Sequence, residues 1–386
     1  MSLAVSKSKV ALVRCSNYDI EQVYEAVRKG TELLDGVANF AKPTEKIVLK
    51  PNILIASNPD KCVTTHPSVF RAIGLLLKQC GATVSYGDSP SIGGCEFNAG
   101  RAGFKRVADE LGIAMADFDH GREITHKTAL LNKKFVIANG VLDADGVISL
   151  PKLKTHGLVR VTGAVKNQFG CIPGILKGQF HAKMADPYDF ATMLVDINTL
   201  IRPRLYIMDA VMAMEGNGPR NGKPRKMNAL LLSSDPVALD AIACKMIDLN
   251  PEFVPTSKPG EMSGLGTYHY ENIEVVGESV DSFIVNDFQV TREPPIPATS
   301  GPTRRFIRNR MTPRPVIDMT KCNGCGTCIK MCPVGHNALD WMLKEAGKLP
   351  RYNYNHCIRC YCCQEVCPEG AIMIQNPPLS RLLFRN

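Results

Sequence analysis

The most constraining feature of the chain is a cysteine pattern that occurs twice near its end. Cys322, Cys325, Cys328 and Cys332 are followed by Pro333; Cys357, Cys360, Cys363 and Cys367 are followed by Pro368. Both runs read C-x2-C-x2-C-x3-C-P. Sulfurs at such short intervals crowd into one loop, which suits a metal centre. Zinc ribbons pair C-x2-C units, but they do not use four cysteines and a trailing proline, twice. A disulfide framework needs an oxidising compartment, and the opening stretch MSLAVSKSKVALV carries no signal-peptide cleavage pattern. The fifteen cysteines of this 386-residue chain are therefore expected to serve metal chemistry in a reducing, cytoplasmic setting.

The two runs resemble the ligand set of bacterial two-cluster ferredoxins, which implies two 4Fe–4S clusters. A cubane needs one thiolate on each of its four irons. Three cysteines spaced by two residues wrap three corners, and their loop is then too tight to reach the fourth. In this motif the fourth cysteine of each run ligates the other cluster. The expected sets are Cys322, Cys325, Cys328 and Cys367 for one cluster, and Cys357, Cys360, Cys363 and Cys332 for the other. Pro333 and Pro368, with their fixed φ, turn the chain away after the crossing ligand. The spacing selects Cys363 as ligand and leaves its neighbour Cys362 as a packing residue.

A hydrophobic content of 45% and a charged content of 22% describe a globular chain with a sizeable core. The length implies two to three domains. No apolar run reaches the roughly 18 residues of a spanning helix. The formal charge of +9 is lowered by about four units once two thiolate-bound cubanes are counted. Arg304, Arg305, Arg308, Arg310 and Arg314 form one basic stretch inside a Pro-rich connection. Without an aromatic platform it reads as a solvated linker or a docking strip for an acidic partner, not as a nucleic-acid surface.

Strands are expected at 9–15, 46–50, 82–86, 134–138, 146–150, 205–209 and 229–232. Helices are expected at 20–38, from a Thr65 or Ser68 cap to Gly81, and at 97–111, 189–201 and 235–248. This alternation argues for an α/β fold, a mostly parallel sheet with flanking helices, over residues 1–294. Residues 251–270 read as a loop and 272–288 as edge strands. The Pro/Arg-rich linker is placed at 295–315, and an α+β two-cluster ferredoxin-like domain at 316–386. Between the cysteine runs, 338–354 holds the only tryptophan, Trp341, and reads as a helical lid on the cluster core.

In open parallel sheets, ligands gather beyond the carboxyl ends of the strands. Lys50-Pro51-Asn52, Gly87-Asp88-Ser89-Pro90, the run 151–157, Asp209, Glu215 with the loop to Pro219, and Ser233–Pro236 all follow expected strands. Each alone is as readily a turn or a cap; together they mark a pocket. The densest stretch holds Lys152, Lys154, His156, Lys166, Asn167, Cys171, Lys177, His181 and Lys183. Partly desolvated lysines and imidazoles bind anions and move protons, whereas the bland reading is a basic surface. Cys171, in a Gly/Pro loop, is the candidate reactive thiol, ahead of Cys62 and Cys95. Cys15, Cys80 and Cys244 read as small core residues. There is no phosphate-binding G-x-x-x-x-G-K-[ST] loop, and Gly216-x-Gly218 is a poor dinucleotide fingerprint. A flavin has no motif behind it.

Lys50-Pro51-Asn52, Thr65-His66-Pro67, Gly87-Asp88-Ser89-Pro90, Pro151-Lys152-x-Lys154-Thr155-His156, Thr162-Gly163-x-x-Lys166-Asn167-x-x-Gly170-Cys171-Ile172-Pro173-Gly174 and Ser234-Asp235-Pro236-Val237-Ala238-x-Asp240 together resemble the domain-of-unknown-function 362 family. That resemblance implies an α/β domain with a C-terminal ferredoxin module and an anaerobic redox setting; it supplies no substrate. The function expected is an iron–sulfur oxidoreductase whose two clusters relay low-potential electrons to an anionic substrate or cofactor. Lys154, His156, Lys166, His181 and Cys171 are the catalytic candidates. Lys50, Asn52, Asp88, Ser89, Lys152, Asn167, Asp209 and Glu215 are the binding candidates. The alternative is a non-catalytic electron-transfer or metalloenzyme-maturation protein whose large domain docks a partner. A redox partner protein is expected in either case.

Overall fold

Long apolar runs such as Ile47-Val48-Leu49 suit strands buried on both faces, and the larger part of the chain is built around them. The computed structural model describes residues 7–297, 302–344 and 347–377. Its strands are β1 (Ser8–Arg14), β2 (Lys46–Pro51), β3 (Thr83–Tyr86) and β4 (Ala114–Met115), then a separate β5–β6 hairpin (Gly121–Thr125, Lys134–Ala138). There follow β7 (Gly146–Leu150), β8 (Lys152–His156), β9 (Arg160–Thr162), β10 (Leu205–Glu215), β11 (Lys223–Ser233) and β12 (Ile273–Gly277). The main sheet runs β12-β1-β11-β10-β7-β2-β3-β4, with β8 on β10 and β9 on β8. Pairing is parallel except at β1–β11, β10–β11 and β8–β9. The α/β, mostly parallel reading therefore holds.

Alternate side chains serve opposite helical layers. Ile47 and Leu49 join the apolar cluster that includes Val23 and Val27 of helix Ile20–Glu32 and Val69, Phe70 and Leu77 of helix Pro67–Gln79. Val48 faces the other side, with Phe190 and Leu194 of helix Pro187–Ile201. Two caps carry consequences for the site. His66, not Thr65 or Ser68, caps helix Pro67–Gln79, its imidazole accepting from the Ser68 amide. Asp235 caps helix Pro236–Met246 through the amides of Val237 (2.8 Å) and Ala238 (2.9 Å).

Several expectations are corrected. The helix expected at 97–111 breaks into Cys95–Arg101 and Phe104–Leu111 at Gly103, whose φ of +83° a residue with a Cβ adopts at a cost. Residues 251–270 hold helix Ser257–Met262, and 272–288 hold the single strand β12 followed by a 3₁₀ turn. The stretch read as linker contains helix Pro302–Met311, and β13 (Arg314–Ile317) pairs antiparallel with β16 (Ile372–Gln375). The side chains of Arg304 and Arg305 lie outside the described residues. Arg308 donates to the Asn355 carbonyl (3.1 Å) and Arg314 lies 4.8 Å from the Tyr354 ring centre, so part of the basic strip is tied to the C-terminal module.

The helical lid expected at 338–354 is instead a hairpin, β14 (Leu339–Lys344) with β15 (Gly347–Tyr352), in register from Leu339↔Tyr352 to Lys344↔Gly347. The helix-forming residues Met342, Leu343 and Lys344 are overridden by the ladder, as tertiary pairing commonly does. Among the described residues no helix is long and apolar enough to cross a membrane.

Candidate functional site

The cysteine runs fold into two interlocked loops. Cys322, Cys325, Cys328 and Cys367 line one hollow, and Cys332, Cys357, Cys360 and Cys363 line a second. In each, three cysteines of one run meet the fourth of the other. Among the described residues no three His, Cys, Asp or Glu side chains converge to hold a single ion. The sulfurs surround a volume rather than a point, and four thiols around each volume fit the needs of a cubane. In the second hollow, the Tyr352 hydroxyl donates to Cys363 Sγ at 3.1 Å.

The module carrying these hollows is docked firmly on the α/β domain. Gln364 Nε2 donates to the Gly218 carbonyl (2.9 Å) and to Asn217 O and Oδ1 (3.0 and 2.8 Å). Arg220 donates to the Val366 carbonyl (2.6 Å), and Asn217 Nδ2 to that of Ile372 (3.0 Å). The loop after Glu215, expected to rim the pocket, is thus the module's dock. Tyr361 is buried in the α/β domain's apolar cluster. A Cβ on Gly157 would meet Ile374 Cδ1 of the module and crowd Tyr361, so the two parts approach closely there.

Docking encloses a cavity of about 550 Å³ between the two parts. Its floor comes from the carboxyl ends of β2 and β3: Lys50, Asn52, Asp88 and Ser89. One wall is Lys166, Asn167, Phe169 and helix Leu176–Lys183, which carries Lys177 and His181. The opposite wall belongs to the ferredoxin module: Lys330, Cys332, Pro333, Cys362 and Glu365. Cys332 therefore lines both this cavity and the second four-cysteine hollow.

The floor is built from a buried ion pair. Lys50 Nζ lies 2.7 Å from Asp88 Oδ1 and donates to Asn167 Oδ1 at 3.0 Å. The ion-pair contact is close but off-line, since Asp88 Oδ1 has no aligned hydrogen-bond donor; the Ile53 amide donates to Asp88 Oδ2 at 2.8 Å. Gly170 presses its Cα against this pair and leaves no room for a Cβ. Asp240 accepts from the amides of Ala164 (2.6 Å) and Val165 (3.2 Å), anchoring the turn that presents Lys166 and Asn167. The Thr162–Asn167 and Ser234–Asp240 motifs are joined through this contact.

Several cations around the cavity lack an anionic partner among the described residues. Lys154 is buried with its Nζ donating to Asn52 Oδ1 and the Val63 carbonyl, both at 2.7 Å. Burial first, then repulsion from Lys166 and Lys152, pushes its pKa well below the usual amine range. Because Asn52 Oδ1 receives Lys154, the amide nitrogen of Asn52 is left as a donor. Lys177 donates to Ser89 Oγ (2.7 Å) and to the Ser89 and Ile172 carbonyls (both 3.0 Å), and burial lowers it to about 8. Lys166 makes no hydrogen bond or close ion pair among the described residues; its Nζ sits 5.7 Å from the Phe169 ring centre.

The imidazoles are held neutral. His181 stacks on Phe190 at 4.4 Å, its buried Nδ1 has no hydrogen-bond partner among the described residues, and burial lowers its pKa to about 3. His156 Nδ1 accepts from the Leu158 amide at 3.0 Å, so the proton of the neutral ring sits on Nε2. That nitrogen lies 2.9 Å from Glu365 Oε1, off-line for a good hydrogen bond. Burial and then Lys166 lower His156 to about 4. Burial alone would raise Glu365, but Lys166 and His156 outweigh it and hold the carboxylate at about 2.

Of the residues singled out from sequence, Lys50, Asn52, Asp88, Ser89, Lys166, Asn167 and His181 line the cavity, while Lys154 and His156 stand one shell behind. The others correct the sequence reading. Cys171 is fully buried against Gln168, with burial raising its thiol to about 12, so it is a core residue. Lys152 and Asp209 form a separate interior pair at 2.8 Å, completed by the Tyr18 hydroxyl and the His66 amide. Glu215 accepts from the Gln289 amide at 3.0 Å, away from the cavity. Cys62 and Cys95 are buried, with burial raising both thiols. Sequence reasoning missed Glu365. The signal was present, for it is the only charged residue between Cys363 and Cys367.

Comparisons with known proteins agree with this two-part anatomy. Residues 47–245 match the family described as domain of unknown function (DUF362), and residues 314–368 match a 4Fe-4S dicluster domain. A thylakoid-associated protein of Synechocystis sp. is 36% identical over 257 residues, which cover 66% of this chain and 79% of that protein. An uncharacterised ferredoxin of Methanocaldococcus jannaschii is 40% identical over 60 residues, 16% of this chain and 75% of that protein. The lactate racemase apoprotein of Thermoanaerobacterium thermosaccharolyticum superposes with a TM-score of 0.42 at 11% identity, over 62% of this chain and 56% of that one, too loose a likeness to carry an argument. The chain belongs to the DUF362 family, and in it the family's α/β domain is joined to a 4Fe–4S ferredoxin-type domain of the kind that transfers electrons.

Proposed function

We propose that the protein is an iron–sulfur oxidoreductase that reduces an anionic substrate or cofactor bound in the interdomain cavity. The observation that carries this reading is Cys332, which belongs at once to a four-cysteine hollow and to the cavity wall. Two 4Fe–4S clusters, one in each hollow, would supply single low-potential electrons. Cys322, Cys325, Cys328 and Cys367 would hold the first, and Cys332, Cys357, Cys360 and Cys363 the second.

The chain's own residues supply binding and protons. Lys166, without an anionic partner, attracts the negative group of the ligand, and Asn52 offers its amide donor beside it. Lys50 and Asp88 neutralise each other and fix the floor. Lys177, lowered to about 8, stands near the pH at which an ammonium both holds and releases a proton, as a general acid requires. His181 presents a neutral imidazole whose Nδ1 awaits a partner. His156 positions Glu365 and does not itself face the cavity. A purely partner-docking role for the large domain has less support, because its polar loop at Asn217–Asn221 is occupied by the chain's own module.

The test begins with anaerobic reconstitution, expected to give about eight irons per chain. The reduced protein is then mixed with a panel of small anionic acceptors. Lys166→Ala and His181→Ala should slow reoxidation by the productive acceptor at least ~10-fold, a loss typical of a binding or proton-transfer group, while iron content stays at the wild-type level. Iron well below eight, or reoxidation rates untouched by both substitutions, would remove the reading.

A further inference from the structure

A second cavity, of about 450 Å³, lies beside the other cysteine hollow. Its lining includes Lys61, Phe97, Arg101, Arg220 and Pro368, and no carboxylate. Pro368 also lines the hollow formed by Cys322, Cys325, Cys328 and Cys367. The relation repeats that of Cys332 to the large cavity, at the opposite hollow. Arg220 donates to the carbonyl of Val366, the residue before Cys367, at 2.6 Å, which holds its guanidinium at the module's surface beside the first hollow.

The two cavities differ in kind. The large one has a buried floor of Lys50, Asp88, Ser89 and Asn167 beneath an exposed rim; in the second, Lys61 and Arg101 are exposed and neither makes an ion pair among the described residues. The nearest carboxylates by sequence are Asp60, exposed beside Lys61, Glu96, paired with Lys105 (3.3 Å), and Glu369, which accepts from Asn323 Nδ2 (3.0 Å). Phe97 stands 63% exposed on the same face. An exposed aromatic ringed by unpaired cations suits a body that covers the surface, not a small molecule that enters it.

We propose that this face is the electron entry port, and that it receives an acidic one-electron carrier protein. The inference rests on the cluster reading above and extends it. An electron passes from the reduced carrier to the centre at the first hollow, leaving the carrier oxidised by one electron; the second hollow and the interdomain cavity lie beyond. Phe97 supplies the apolar anchor. Lys61, Arg101 and Arg220 supply the field that orients the carrier.

The test uses the full chain with reconstituted clusters and a small acidic 2Fe–2S ferredoxin as probe. Binding is measured by titration calorimetry and cluster reduction by stopped flow, each at low and high salt. The double variant Lys61→Glu/Arg101→Glu should lower the bimolecular rate ~10- to 100-fold at low salt and flatten its salt dependence. Phe97→Ala should weaken binding ~10-fold. Reduction by methyl viologen radical, a small cation that needs no dock, should not fall in either variant. Carrier binding and reduction rates unchanged in both variants overturn the proposal. So does a wild-type rate that rises with salt. Lys166→Ala, which reports on the interdomain cavity, should leave carrier binding unchanged. Failure of the substrate reading and failure of the entry port are thereby told apart.

Discussion

Two buried lysine–aspartate pairs stand behind adjacent parts of the sheet, and they have different fates. Lys152 and Asp209 are 2.8 Å apart, and every oxygen of Asp209 is satisfied: Oδ1 by the Tyr18 hydroxyl and the Val211 amide, Oδ2 by Lys152 and the His66 amide. Lys50 and Asp88 are as close, at 2.7 Å, but Asp88 Oδ1 lacks an aligned donor and both residues border the cavity. Burial and charge pairing are therefore common to a closed structural knot and an open site. What separates them is completeness of hydrogen bonding and access to a void.

The contrast can be broken most sharply by removing one lysine at a time. Lys152→Ala leaves Asp209 buried and uncompensated, and should cost about 3–5 kcal/mol in chemical denaturation. Acid is a probe that acts on one imidazole at a time. His156, His181 and His66 have folded pKa values of about 4, 3 and 4, below the ordinary imidazole value. As pH falls below about 6.5 the unfolded chain takes up protons that the folded chain refuses, so stability is full above that value. It should drop by about 2 kcal/mol per imidazole by pH 5, and the loss levels off only below the folded values. Of the three, His181 lines the cavity, and His181→Leu should remove about one proton's worth of the slope in a denaturation series between pH 6.5 and 4.

Lys50→Ala should cost less than Lys152→Ala, about 1–3 kcal/mol, because water from the cavity can reach Asp88. Equal losses for the two variants would erase the distinction between knot and site. The smallest effect belongs to Lys166→Ala, which should shift stability by less than about 0.5 kcal/mol while impairing reoxidation. A large stability loss there would make Lys166 a structural residue and remove it from the binding machinery.

The sequence showed these groups unevenly. Lys50 and Lys152 both follow or open a strand among polar neighbours, and nothing local distinguishes them. Their difference arises from Tyr18 and His66, which come from distant segments and stack at 3.7 Å over the inner pair. The cysteine runs were legible because ligand spacing is set by the size of a cubane and hardly depends on context. The strands with uninterrupted apolar runs, such as 46–50, were legible for a related reason, since burial on both faces leaves one pattern. The hairpin at 339–352 was hidden because its residues favour helix and only the partner strand decides otherwise. Glu215 and Cys171 misled for one shared reason. Each sits where a site residue would be expected, but the loop after Glu215 binds the ferredoxin module and Cys171 turns into the core.

The shared position of Cys332 has a further consequence. A side chain that forms part of two compartments cannot be displaced from one without deforming the other. Oxygen damage that strips the adjoining metal centre would free that sulfur and disturb the chamber next to it. On the proposed function, exposure to air would then abolish ligand affinity together with electron supply, so that a protein unable to deliver charge would also stop holding the molecule that was to receive it.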